Sequence, residues 1–216
     1  MKKYILLFTL ITTLLACDTS SKWKTNDSNI HEEKATKEET PTILSYEQKV
    51  NRYRDSTSTM FYSGANGILP KDALDPEGKL SFYSPNEAYR IDAVFEPIEN
   101  GEVFEMKTST DRLPAYKKYG LLKFRLGEEN LQLTLYQNVE NPEYIFCPFK
   151  DITNGNETYG AGRYLDFTID DLKNPVIDFN FCYNPLCAYN SAYSCPIPPF
   201  ENHLKVSIEA GEKKWH

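Results

Sequence analysis

Three regimes of hydrophobic patterning follow one another along the chain. Tyr4 to Leu15 is a continuous apolar run behind Lys2 and Lys3. Asp18 to Pro41 is polar, with Lys22, Lys24, Lys34 and Lys37 set against Asp18, Asp27, Glu32, Glu33, Glu38 and Glu39. That segment holds too few apolar residues to bury and is predicted to be a disordered tether. Its two dozen residues would span roughly 25–30 Å as a flexible coil. From Thr42 onward the apolar positions become periodic.

Ile43, Tyr46 or Glu47, Val50 and Tyr53 recur at three- and four-residue spacing, which predicts an amphipathic helix over Thr42–Met60. Arg52, Arg54 and Asp55 fall mostly off that stripe, and the run Ser56-Thr57-Ser58-Thr59 is expected to end the helix by about Ser58. Pro70, Asp75-Pro76 and Gly78 then mark a loop. Beyond it the period changes to two. Leu80–Tyr83, Tyr89–Phe95, Val103–Lys107, Gly120–Leu126, Leu131–Tyr136, a segment starting at Tyr144–Phe146, and Leu204–Ile208 are the predicted strands. The clearest pair is Leu122, Phe124 and Leu126 against Leu131, Leu133 and Leu135, joined through Gly127-Glu128-Glu129-Asn130 as a hairpin. No helical stretch separates these strands, so the ladder is antiparallel. The expected architecture is mainly β: a single barrel-like or strongly curved antiparallel sheet, one end closed by the N-terminal helix. A two-sheet sandwich is the alternative.

Composition bounds the rest. At 216 residues there is room for one domain, assigned to Thr42–His216. The formal net charge is -7, and a chain lacking Lys2 and Lys3 would stand near -9. So acidic a protein is unsuited to nucleic acid, whose phosphates require Lys and Arg. The positive start, the short apolar run and small Ala16 predict a signal peptide over residues 1–16. A run of about a dozen residues is too short to span a bilayer. Leu14-Leu15-Ala16-Cys17 resembles a bacterial lipobox, which implies cleavage before Cys17 and attachment of acyl chains such as palmitate to it. The expected location is the cell envelope, with residues 17–41 tethering a monomeric domain that faces the periplasm or the exterior. Membrane contact would run through the lipid on Cys17.

Phe146 to Gly211 differs from the rest. It holds four of the five cysteines and six of the thirteen prolines, with Asn154-Gly155, Gly160-Ala161-Gly162-Arg163, Tyr183-Asn184-Pro185 and Pro198-Pro199 close together. Such residues fix special backbone angles and present polar groups at defined places. Gly160–Arg163 lacks the Gly-Lys-Ser/Thr ending of a phosphate loop. The runs Pro148–Asp151, Thr153–Gly155, Glu157–Asp166, Asp178–Asn180, Tyr183–Pro185, Cys187–Tyr189, Cys195-Pro196 and Pro199–Asn202, with Thr108–Arg112 and Lys118–Gly120 upstream, resemble the bacterial family catalogued as domain of unknown function 1684. The resemblance covers Tyr46 to Lys213 and implies no assigned activity. Cys147 and Cys182 stand where members usually carry other residues, so those two thiols read as incidental.

Read from their chemistry, Arg163, Asp166, Asp178, Asn180, Tyr183, Glu201 and Asn202 are the candidate lining of a ligand pocket. Asp178 and Asn180 would share one strand face. Arg163 could pair with Asp178, either as a buried structural ion pair or as part of the pocket. Cys187 and Cys195 are a candidate disulfide, which would contribute about 2–3 kcal/mol by closing so short a loop. Cys182, Cys187 and Cys195 lack Cys-x-x-Cys spacing and have one nearby histidine, His203, so neither zinc nor another cofactor is expected. Two function classes follow. One is a non-catalytic ligand-binding or envelope-associated lipoprotein. The other is a hydrolase using a thiol beside His203 or two of Asp151, Glu157, Asp166, Asp178 and Glu201.

Overall fold

The computed structural model describes residues 43–65 and 67–215. The predicted signal peptide, Cys17 and the predicted tether lie outside the described residues. The helix α1 spans Tyr46–Tyr62. It starts later than its periodicity suggests because Ser45 caps it: the Ser45 hydroxyl accepts the Gln48 N–H, and the Gln48 side chain accepts the Ser45 N–H. It also runs past Ser58, because Phe61 is buried edge-on against Tyr189.

The buried face of α1 is Val50, Arg54, Ser58 and Phe61. Arg54, expected off the apolar stripe, is therefore inside. Its guanidinium donates to the carbonyls of Tyr83 at 2.7 Å and Asn180 at 3.3 Å and lies over the Phe82 ring. The Ser58 hydroxyl accepts the Leu80 N–H. Two polar side chains thus satisfy backbone groups of the segment under the helix, a use that hydropathy cannot register.

Seven strands follow: β1 Arg90–Pro97, β2 Val103–Glu105, β3 Ala115–Leu126, β4 Glu129–Asn138, β5 Tyr144–Phe149, β6 Arg163–Thr168 and β7 Val176–Asp178. They form one antiparallel sheet in the order β6-β5-β4-β3-β1-β7, with β2 paired to the first half of β3. The sheet curls strongly into a half-barrel, and β6 and β7 are left as its two ends. The expected β3–β4 hairpin forms, with Leu122 opposite Leu133 and Phe124 opposite Leu131. Its turn is tighter than expected: Gly127 and Glu128 alone connect Leu126 to Glu129. Gly127 takes φ 61° at the first turn position, as a type II′ hairpin requires.

Strand alternation builds two cores on opposite faces. Leu133, Leu135, Ile145, Cys147, Phe149, Leu165 and Phe167 point to one. Tyr136, Phe146 and Tyr164 point to the other, with Met106 and Tyr116. Each fully buried Leu or Phe contributes about 1.5–3 kcal/mol. A third cluster beneath α1 joins Phe61, Ile68, Leu69, Leu80 and Tyr189.

Two expected strands are absent as ladders. Leu80–Tyr83 makes an isolated bridge, Phe82 to Glu212, and Leu204–Ile208 is irregular although Leu204 and Ile208 are buried. The tail instead runs through the interior, where side chains and the backbone of neighbouring segments together satisfy it. Gly211 takes φ 73° there, and a Cβ on it would stand 2.5 Å from the Phe179 carbonyl oxygen. Gly211→Ala should therefore lower stability by about 2 kcal/mol or more, read as a fall in the urea midpoint. An unchanged midpoint would show that the tail can shift without loss.

Candidate functional site

The candidate residues separate into an interior set and a cleft set. Arg163, Asn180 and Asn202 are fully buried. Arg163 stands at the start of β6, and its partner is Asp151, not Asp178 as the sequence suggested: Nη2 lies 2.8 Å from Asp151 Oδ2, with both side chains wholly buried. The same guanidinium donates to the carbonyls of Ile208 at 2.8 Å, Ala210, and Glu212 at 3.3 Å. Asp151 uses its other oxygen to accept from the Thr153 N–H and hydroxyl and from the Ile208 N–H. The ion pair thus replaces a neighbouring strand for residues 208–212, whose alternate carbonyls it collects. Burial alone would lower the Arg163 pKa, but neighbouring negative charge, Asp151 included, raises it and keeps the cation charged.

Asn202 is a wedge. Its side chain accepts the Thr134 N–H at 2.7 Å and donates to the Thr134 and Pro148 carbonyls at 2.8 Å each. β4 and β5 pair at two positions, Tyr136–Phe146 and Gln137–Ile145, and Asn202 fills the space where they part. Asn180 plays a similar role, exchanging bonds with the Asn86 backbone in both directions. Glu201 lies apart from the other candidates, with Lys118 at 2.8 Å and the Tyr136 hydroxyl at 3.1 Å. The interaction with Lys118 helps hold its carboxyl below the usual range despite partial burial.

The cleft set occupies the opening of the half-barrel. A cavity of about 460 Å³ is lined by Leu165, Asp166 and Phe167 of β6, by Val176 and Asp178 of β7, and by the connection that carries Asp170, Asp171 and Asn174. Its size suits a small ligand. Asp166 presents its two oxygens to two phenols, Tyr144 at 2.7 Å and Tyr183 at 2.6 Å. Desolvation raises its carboxyl, outweighing the two hydrogen bonds that lower it. Burial and the Asp166 charge push both phenols up, so they stay protonated as donors. Among the described residues no cation stands within ion-pair distance of Asp166, whereas Asp170 pairs with Lys173 at 2.7 Å.

Asp178 is more heavily committed. Both its oxygens accept from the Tyr46 hydroxyl, at 2.9 and 3.0 Å, which latches α1 to the sheet. It also accepts the Asn180 N–H and side-chain amide, with Arg90 at 3.9 Å. Asp178 ends β7 while Asn180 sits in the following 3₁₀ turn, so the expected common strand face does not form.

Cys187 and Cys195, the candidate disulfide, lie side by side as unlinked thiols. The Cys187 N–H donates to Cys195 Sγ at 3.1 Å. His203 contacts the Pro198 carbonyl through Nε2 and the Phe200 ring. Among the described residues no group of three or more His, Cys, Asp or Glu is placed to hold a metal, and no helix is long and apolar enough to cross a membrane. Sequence reasoning did not single out Tyr144, Asp170, Asp171 or Glu212. The buried Glu212 accepts from the Tyr189 hydroxyl and the Asn184 N–H, and desolvation raises its carboxyl to about 7. A carboxylate among tail residues that otherwise looked solvated gave no signal.

A family model described as "Protein of unknown function (DUF1684)" matches residues 78–213. The solution NMR structure of an uncharacterized protein of Haloarcula marismortui is similar, with 32% identity over 78% of this chain and 94% of that one and a TM-score of 0.61. No curated protein matches the chain.

Replacing Arg163 by Met should cost about 3–5 kcal/mol, because it strands the buried Asp151 carboxylate and three carbonyls. At about 2–4 °C per kcal/mol for a domain of this size, the thermal midpoint should fall by roughly 10 °C. A loss under about 1 kcal/mol would mean that Arg163 is not a structural clamp.

Proposed function

We propose that this chain, which belongs to the DUF1684 family of proteins of unknown function, is a lipid-anchored module of the bacterial cell envelope that binds a small cationic ligand without converting it. The observation that carries the ligand reading is Asp166. It stands at the opening of the half-barrel beside Asp170, Asp171 and Asp178, held by neutral phenols and lacking a cationic partner. An ammonium or guanidinium group entering the cleft would supply the missing charge, and Phe167 and Phe181 offer apolar surface to its stem. Two preset phenol bonds fix the carboxylate orientation before the ligand arrives, which lowers the ordering cost of binding.

A hydrolase is the second reading. It is favoured by Asp166 and Asp178 lining one cleft with the Asp166 carboxyl raised. Against it, Asp178 already accepts from Tyr46 and Asn180, and so is poorly placed to serve as base or nucleophile.

The anchoring part rests on Leu14-Leu15-Ala16-Cys17 behind a short apolar run. Each buried acyl methylene contributes about 0.8 kcal/mol, so several chains on one residue give stable attachment.

Thermal melts with putrescine, glucosamine and arginine, against glucose and citrate as neutral and anionic controls, test the ligand reading. A cationic probe at 100 times its dissociation constant should add about 2.7 kcal/mol of stability, and Asp166→Asn should abolish the gain. Equal shifts from the controls, or a gain that survives Asp166→Asn, would overturn it. For the anchor, cells fed labelled palmitate should label the native chain and leave Cys17→Ser unlabelled; equal labelling of both would refute attachment at Cys17.

A further inference from the structure

We propose that Cys187 and Cys195 form a thiol–disulfide exchange site, with Cys187 as the attacking sulfur and Cys195 as the resolving one. The site is separate from the Asp166 cleft and does not depend on the ligand reading. Four of the described cysteines are free, and they fall into two chemical classes. Cys147 and Cys182 are wholly enclosed in the core behind β5 and the tail, where burial raises both thiols. Cys187 and Cys195 lie eight residues apart in sequence and side by side in space.

Each thiol of the pair is held from a different side. Cys187 sits in the 3₁₀ turn Leu186–Ala188, whose end is fixed by the Asn190 N–H on the Leu186 carbonyl and by the Asn190 amide on the Ile68 carbonyl. Cys195 begins the Pro-rich strap, which lies along residues 107–109. The Ser109 N–H donates to the Cys195 carbonyl at 2.8 Å, and the Cys195 N–H donates to the Ser109 hydroxyl at 3.1 Å. Arg112 holds the same strap through the Ser194 carbonyl at 2.9 Å. The sulfurs are thus juxtaposed by two independently fixed segments, as a pair that must open and close a bond requires.

Their surroundings make them unequal. Cys187 is half-buried and reachable, whereas Cys195 is buried. The Cys195 thiol and the Ser109 hydroxyl lie beside the Cys187 sulfur, and the Tyr159 hydroxyl lies 3.7 Å from it. These donors, the Cys195 thiol first, outweigh partial burial and pull the Cys187 thiol down to about 6, while the same bond and burial push Cys195 up. Arg112, bonded to the neighbouring Ser194, opposes the rise at Cys195 only weakly. The reachable sulfur is therefore the one that more readily becomes a thiolate, and its buried neighbour the one that keeps its proton.

The co-reactant is a small-molecule disulfide. Cys187 thiolate attacks one of its sulfurs, forming a mixed disulfide and releasing the first thiolate. Cys195 gives up its proton, which neutralises that thiolate, and attacks Cys187 Sγ to expel the second as a thiolate that takes a proton from water. Two protein thiols are oxidised to one disulfide and the small disulfide is reduced to two thiols.

Differential alkylation of the full chain with peptide mapping reads each cysteine separately. At pH 7 Cys187 should react with iodoacetamide about tenfold or more faster than Cys147 and Cys182. With glutathione disulfide, Cys187 and Cys195 should be recovered as one linked peptide pair that dithiothreitol separates. In Cys195→Ala the glutathione adduct should instead accumulate on Cys187. Slow alkylation of Cys187, or a glutathione adduct that persists on Cys187 in the native chain, would overturn the proposal. The alkylation order is measured on the native chain, so it decides even if Cys195→Ala fails to fold.

Discussion

The buried pair between Arg163 and Asp151 is the constraint on which the rest of this fold depends. An extended tail crossing the interior must find partners for its carbonyls, and residues 208–212 join no strand ladder beyond the single bridge from Phe82 to Glu212. The guanidinium fork meets that need at three carbonyls, and Asp151 meets it at the Ile208 N–H. A planar, permanently charged group with several donors is suited to this; an ammonium would reach fewer acceptors. The pair is costly to desolvate, and its attraction alone need not repay that cost. What it secures is order in the tail, which then carries partners of its own: Tyr83 donates to the Gly211 carbonyl, Glu212 to the Cys182 carbonyl, and Asn184 to the Glu212 carboxylate.

The same economy recurs across the sheet. Asn202 stands between β4 and β5, Asn180 spans to Asn86, and Arg54 closes carbonyls beneath the helix. Each is a buried polar side chain whose partners are mostly backbone groups that no strand could reach. These residues look functional in a sequence because they are polar, sit among special turns and are not explained by periodicity. Their surroundings assign them to architecture.

What remains for function lies where that architecture stops. The half-barrel does not close, and its end strands β6 and β7 leave a cleft lined by carboxylates. Asp166 has room for a partner because it occupies an end strand. Cys187 and Cys195 lie on irregular segments outside the sheet, where a Pro-rich strap and a 3₁₀ turn meet. Both places join a rigid support to exposed chemistry, the usual arrangement for sites on loops and edges.

The sequence by itself determined the elements whose cause is local. Period-two alternation placed the β3–β4 hairpin and the facing of its side chains, three- and four-residue spacing placed α1, and the absence of intervening helices fixed an antiparallel sheet. The runs from Pro148 to Asn202 carried the family. Only the tertiary structure decided which polar residues are buried and with whom. The sequence suggested Asp178 as the partner of Arg163, and the pairing with Asp151 followed from where the chain's return path brings residues 151 and 208 together. Leu204–Ile208 has the composition of a strand but joins no ladder: Leu204 and Val206 bond to the backbone of residues 150 and 152, and the Ile208 N–H to the Asp151 carboxylate. Local pattern reports propensity and the facing of side chains along one segment. The partner of a buried charge depends on segments distant in sequence, and that information exists only once the chain has closed on itself.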